Sequence, residues 1–390
     1  MTERRPGKAT QIVEGGRRRE WRGRLVNVPV ERASTILFDS VEEMHGNRPG
    51  PGSYGYGLQG TATQWALAEA LTGLESGAFG TVLYPSGLAA VTTPILALLS
   101  SGEELLAPDT VYGPTRKFCD TILKRFGIKT RYYDPLVGTD IADFISASTR
   151  AILLESPGSM TMEVQDVPGI CAIAREREIV TLLDNTWATP LLFPAISAGV
   201  DITILAATKY VGGHADVMLG AATTTEKYYQ QIQTATWDIG HAVSPDDAWL
   251  GSRGLRTMAV RLKRHEESAL EIARWLKGRR EVGMVLHPAL ADCPGHDIWK
   301  RDFKGSSGLF SFELRDAGNE KRAAFVDALE LFGIGYSWGG YESLAIPVDP
   351  FRTVSKSPAD NLIRLHIGLE DPEDLIADLA AAFDQAGRSP

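Results

Sequence analysis

The chain has 390 residues, 44% of them hydrophobic and 23% charged, with a formal net charge of −9, the make-up of an ordinary folded protein long enough for two domains. The negative balance argues against nucleic acid as the main partner, and the one basic cluster, RRREWRGR from Arg17 to Arg24, reads as a solvated or subunit-contacting arm. Three scattered cysteines (Cys119, Cys171, Cys293), seven histidines without H-x-x-x-H spacing, and the absence of any signal-peptide or membrane-length apolar run leave no disulfide framework, no metal site and no membrane contact to expect, and a cytoplasmic location.

Residues 1–60 read as an extended arm with loops. Inside it, SYGYGLQGTATQ (residues 53–64) contains Gly55-x-Gly57-x-x-Gly60, the spacing of a dinucleotide fingerprint. That fingerprint needs an apolar strand running into it, and HGNRPGPGS upstream has no four consecutive apolar residues. The spacing is therefore read as coincidence, and the glycines as turn residues that let the arm approach a neighbouring subunit. A helix follows, because TQWALAEALTGLE places Trp65, Leu67, Ala68, Leu71 and Leu74 at helical spacing.

From about 61 to 250, short apolar runs alternate with amphipathic helices: TVLYPSG, ELLAPD, TRYYD, AILLES, IVTLLDN and DITILAATK. This pattern predicts an α/β domain with a mostly parallel sheet covered on both faces. After SPDDAWLGSRGLRT the texture changes; a long helix (MAVRLKRHEESALEIARWLKGR) and the strands GLFSFEL and LIRLHIGLE predict a smaller α+β domain over 251–390.

Ligands of open α/β sheets sit at the carboxyl ends of strands. Asp184 ends the run in LLDNTW; a carboxylate there can bind a metal, cap a helix or pair with a cationic ring nitrogen. Lys209 follows DITILAAT directly, where it either snorkels or, with its pKa lowered by desolvation, forms a Schiff base with an aldehyde. In LYPSGLAAV the Ser86-Gly87-Leu88 turn is a simple turn or opens a helix whose free N–H groups bind an anion. Lysine, acid and helix start together describe a pocket for pyridoxal phosphate. Tyr112, after ELLAPD, is a candidate ring to stack on that cofactor, and Arg364 in NLIRLHIGLE a candidate clamp for an α-carboxylate.

With these residues placed, nearly the whole chain resembles the Cys/Met-metabolism family of pyridoxal-phosphate enzymes. The segments that carry the likeness include VNVPVERASTILFDS, LYPSGLAAV, LLDNTWATPLLF, AATKYVGGHAD and WKRDFKGSSGLFSFEL, while ESPGSMTMEV and YSWGGYESL are similar to its β-lyase branch. The resemblance implies a fold-type I architecture with a seven-stranded sheet, and pyridoxal 5'-phosphate as cofactor. It implies β-elimination from L-cystathionine to homocysteine, pyruvate and ammonia, within methionine biosynthesis. Lys209 would be the Schiff-base lysine and acid/base, and Asp184 the partner of the pyridine nitrogen. Tyr112 would stack on the ring, and Gly87, Leu88, Thr208 and Ser159 would complete the cofactor contacts. Arg364, Ser337 and Trp338 would bind substrate together with Tyr112.

The family forms homotetramers whose paired subunits complete each other's sites through a Tyr-x-Arg motif; here it falls at Tyr56-Gly57-Leu58. Tyr56 would thus join the catalytic and phosphate-binding residues of a neighbour, and Leu58 stands in place of the arginine. Rival readings are a γ-elimination or γ-replacement enzyme or a broad cysteine-S-conjugate lyase of the same fold, and, from other classes, a cofactor-binding regulatory protein or a nucleotide-dependent oxidoreductase.

Overall fold

In the computed structural model, which describes residues 6–386, the apolar runs become the strands of two sheets. The larger contains β1 (Gly80–Tyr84), β2 (Glu104–Pro108), β3 (Lys129–Tyr133), β4 (Thr149–Glu155), β5 (Val180–Asp184), β6 (Ile202–Leu205) and β7 (Gly220–Thr224), in the order β1-β7-β6-β5-β4-β2-β3. Strands β2 to β6 are mutually parallel, and β7 lies antiparallel between β6 and β1. The smaller sheet is antiparallel, with β8 (Val282–Leu286), β9 (Leu309–Leu314), β10 (Leu344–Val348) and β11 (Leu362–His366) in the order β10-β11-β9-β8. The expected α/β architecture, a mostly parallel seven-stranded sheet with a smaller C-terminal α+β unit, is what the chain adopts.

Continuous apolar strands follow from burial of both faces. Successive side chains of a strand point to opposite sides, so β4 sends Ile152 and Leu154 into one core layer and Ala151 and Leu153 into the other. The first layer is closed by the helix Val167–Glu176 through Val167, Ile170 and Ala174, the second by Gly87–Leu98 and by Tyr228 and Ile232 of Glu226–Asp238. The long helix Met258–Lys277 buries Leu262, His265, Ala269, Ile272 and Leu276 along one stripe, and that stripe lies on the small sheet and on the last helix, Pro372–Ala386.

The arm is not simply extended. It contains the helices Lys8–Glu14, Arg19–Arg22 and Val41–Gly46, and the first two bury Ile12 and Trp21. Arg256 donates to the carbonyls of Ile12 and Gly15 and so pins the N-terminal helix. The glycine run is likewise engaged with its own chain: Gly57 N–H donates to Ser34 (2.8 Å), and Thr35 bridges to Tyr56. No named strand leads into it; its pairings are the isolated bridges Gly50–Ser53 and Thr35–Tyr56, so the geometry of a dinucleotide loop is missing.

Past the end of β2, the Asp109 carboxylate accepts the N–H groups of Thr353, Val354 and Ser355 (2.8–3.1 Å) and the Arg116 guanidinium (2.7 Å), fastening the segment after β10 to the large sheet. Burial alone would raise its pKa, but the Ser355 and Val354 N–H groups, Arg116 and the Thr353 N–H outweigh burial and hold it at about 2. A depressed carboxylate contributes stability above its ordinary pKa, and that contribution fades as pH falls through the folded value. Asp109→Ala is expected to cost about 3–5 kcal/mol in denaturant unfolding at pH 7, since it strands a buried guanidinium, and the deficit should shrink as pH is lowered from about 4 towards 2. A deficit constant over that range would disprove this account.

Candidate active site

Because β1 and β2 to β6 run the same way, their carboxyl ends open on one edge, and the predicted residues other than Tyr56 gather there. After β6 the chain turns tightly, with Lys209 N–H donating to Ala206 (2.9 Å), Gly212 N–H to Ala207 (2.8 Å) and Gly213 N–H to Lys209 (2.7 Å). Asp184 closes β5 on the neighbouring strand. Its Oδ1 accepts both the N–H (3.0 Å) and the hydroxyl (2.5 Å) of Thr186, and that hydroxyl oxygen accepts Ala206 N–H (2.8 Å). One threonine therefore joins the acid to the lysine turn.

Burial raises the Asp184 pKa, opposed by its two Thr186 bonds and the charge of Lys209. Burial lowers Lys209 to about 8, with Arg364 adding to the effect and Asp184 opposing it. About a tenth of such an amine is neutral, and so nucleophilic, at pH 7. The Lys209 ammonium donates to Ser337 Oγ (2.5 Å) and lies 5.5 Å from the Trp338 ring centre.

Arg364, on β11, donates to the Ser337 carbonyl (3.1 Å); burial lowers its pKa to about 10. Ser337 thus receives both cations, and it does so with φ at +83°. That conformation costs a non-glycine residue about 1–3 kcal/mol and is retained where surrounding contacts dictate it.

Tyr112 follows β2, and its N–H donates to Glu155 Oε2 (2.7 Å). Burial raises its phenol pKa, as does the charge of Asp184, with Arg364 opposing, so the ring faces the same cleft. Ser159 sits beside it in a turn whose N–H donates to Thr110 (3.1 Å).

The helix Gly87–Leu98 starts at this edge. Ser86 accepts Ala89 N–H on its hydroxyl (3.1 Å) and Ala90 N–H on its carbonyl (3.2 Å), which leaves Gly87 and Leu88 as the remaining first-turn donors. A Cβ at Gly87 would lie 2.4 Å from that of Ala206, so only glycine lets the helix start abut the lysine turn and form a cup with it.

These parts fit pyridoxal phosphate: an amine of depressed pKa for the aldehyde, an enclosed acid for the ring nitrogen, a helix start for the phosphate and a tyrosine over the cleft. Thr208 fits less simply. Its hydroxyl donates to Leu219 O (3.1 Å) and accepts Leu219 N–H (2.8 Å), so its one proton must leave that bond to reach a phosphate. Tyr56 is not gathered into this cleft; it is 54% exposed on the arm, with its N–H on Gln59 Oε1 (3.0 Å).

Two residues of the site escaped the sequence reading. Thr186 carries no signal beyond its place two after an acid. Glu155 did carry one, as a charged residue ending an apolar run.

The model of the Cys/Met metabolism PLP-dependent enzymes matches residues 9–384. The chain is 45% identical over 385 residues to the cystathionine beta-lyase MetC of Escherichia coli, covering 96% of this chain and 97% of the other. It is 44% identical over 385 residues to the cystathionine beta-lyase of Salmonella typhimurium, with the same coverage. Among solved structures, metB of Corynebacterium glutamicum superposes with a TM-score of 0.90 at 28% identity, covering 97% of this chain and 98% of that one. Strand ends, lysine turn and likeness over nearly the full length agree: the chain belongs to the Cys/Met-metabolism family of pyridoxal-phosphate-dependent enzymes.

Proposed function

We propose that the protein is a carbon–sulfur β-lyase that cleaves L-cystathionine to homocysteine, pyruvate and ammonia, as the names of its E. coli and S. typhimurium relatives suggest. The observation that carries the reading is Lys209 at the mouth of the cleft, with its pKa near 8, Asp184 on one side and Ser337, Trp338 and Arg364 on the other. When bound, pyridoxal phosphate supplies an aldehyde carbon for the substrate amine and a conjugated ring that takes up the electron pair left at Cα.

The chain supplies the rest. Gly87, Leu88 and Thr208 hold the phosphate, Asp184 keeps the ring nitrogen protonated, and Tyr112 covers the ring. Arg364 exchanges the Ser337 carbonyl for the substrate carboxylate, a charge-assisted pairing stronger than the neutral one it replaces. That orients the Cα–H bond towards Lys209 Nζ, which removes the proton. The Cβ–S bond then breaks with its electron pair on sulfur, and the same Nζ returns a proton to the thiolate. Water hydrolyses the released enamine to pyruvate and ammonia.

The test is to incubate the purified protein with L-cystathionine and identify the keto acid and thiol released. Pyruvate with homocysteine supports the reading; an oxobutyrate with cysteine would assign γ-elimination instead.

The quaternary part of the proposal is a homo-oligomer, a tetramer with sites shared between paired subunits, in which Tyr56 completes a neighbour's phosphate site. In support, Tyr56 is 54% exposed on the arm. No helix among the described residues is long and apolar enough to cross a membrane, and the three cysteines are buried and unpaired, which supports a cytoplasmic setting. Beside Tyr56, Leu58 lines an open cavity with Trp65, Phe79 and Tyr229 and offers no charge to a phosphate. Leu58→Arg is expected to slow cofactor loss about tenfold on dialysis against phosphate buffer, the scale of one added charge-assisted bond. Equal loss from both proteins would count against it.

A further inference from the structure

The strand register pairs Glu155 with Asp184, so the last residues of β4 and β5 place two carboxyl groups side by side on the same face of the sheet. Glu155 accepts Tyr112 N–H at 2.7 Å, while the Ser159 N–H beside it goes to the Thr110 carbonyl. Its own carbonyl accepts the Gln165 amide (2.7 Å), which fixes the strand end. No ion pair is formed by Glu155 among the described residues; the charged or titratable groups it meets are Asp184 and, through Tyr112, the cleft shared with Lys209 and Arg364.

We propose that Glu155 is a positioning residue of the active site, whose carboxyl holds the main chain at Tyr112 and so sets the tyrosine ring over the cleft beside Asp184. Two adjacent carboxylates without a cation between them are not both kept ionised. Asp184 has Lys209 and the Thr186 donors, so Glu155 is the neutral member, held well above the usual carboxylate range by burial and by the charge of Asp184. A neutral acid still offers a carbonyl oxygen to an N–H donor. Glutamine can replace it in that task, whereas alanine has no acceptor and aspartate, one methylene shorter, does not reach.

The inference rests on the cofactor reading of this cleft, and the test separates the two. Hydrogen exchange at the Tyr112 amide is measured in the cofactor-free protein, with cofactor affinity, the visible circular dichroism of bound cofactor and its absorbance against pH measured separately. Glu155→Gln should keep Tyr112 protected, cofactor affinity within about twofold and the pH titration in place. Glu155→Ala and Glu155→Asp should expose the Tyr112 amide, weaken cofactor about tenfold, the scale of one lost hydrogen bond, and diminish the dichroic band. A protected amide in Glu155→Ala, or Glu155→Gln behaving like Glu155→Ala, would overturn the proposal. Should the alanine variant not fold, the glutamine–aspartate contrast decides alone. Loss of all cofactor binding by wild type would refute the cofactor reading while leaving the amide result intact.

Discussion

Lys209→Ala is expected to release pyruvate from L-cystathionine about 1,000- to 10,000-fold more slowly than wild type, because the proposed reaction routes both proton transfers through this one nitrogen. Lys209→Arg should fail nearly as badly, since a guanidinium is not deprotonated in the working range. The wild-type profile should carry the same signature: substrate binding frees the amine, whose neutral form is the active one, so kcat rises with pH through about 8. Steady-state assays by pyruvate release check both. Turnover by Lys209→Ala within tenfold of wild type, with bound cofactor, would sink the assignment.

Asp184→Asn should lose about 100- to 1,000-fold in kcat with KM little changed, since an amide keeps the shape and the Thr186 bonds while removing the charge that matters as negative charge spreads from Cα. Thr186→Val is the milder companion, expected near tenfold, because it removes the hydroxyl that joins Asp184 to Ala206 and leaves the acid in place. Kinetics at saturating cofactor distinguish the outcomes; a loss confined to KM would mean that Asp184 merely binds.

Much of this fold was legible because buried parallel strands are written as apolar runs. β7 escaped: GAATT has neither large aliphatic nor aromatic residues, although it is buried throughout. β8 and β10, VGMVL and LAIPV, escaped because glycine and proline interrupt them; Pro347 is tolerated on β10, an edge strand. The arm helices are short, and their order comes from Ile12 and Trp21 packing on the body, a tertiary effect that local pattern does not reveal.

At the site, Lys209, Asp184, Tyr112 and Gly87 were readable as chemistry at strand ends. The left-handed backbone of Ser337 and the Glu155–Asp184 register were not, since both are set by how distant segments meet. The glycines near Tyr56 misled in another way, their spacing matching a fingerprint while their contacts serve the arm's own folding.

The small residues of β7 have a consequence for how this protein can change over generations. A Cβ at Gly220 would lie 2.1 Å from the Ser86 carbonyl oxygen and 2.9 Å from the Ala90 side chain, so any larger residue there must push back the helix that presents Gly87 and Leu88. A strand with no chemistry of its own is thereby barred from drifting. Substitutions at 220 would register first as weakened anion retention at a distance, well before the sheet itself gave way.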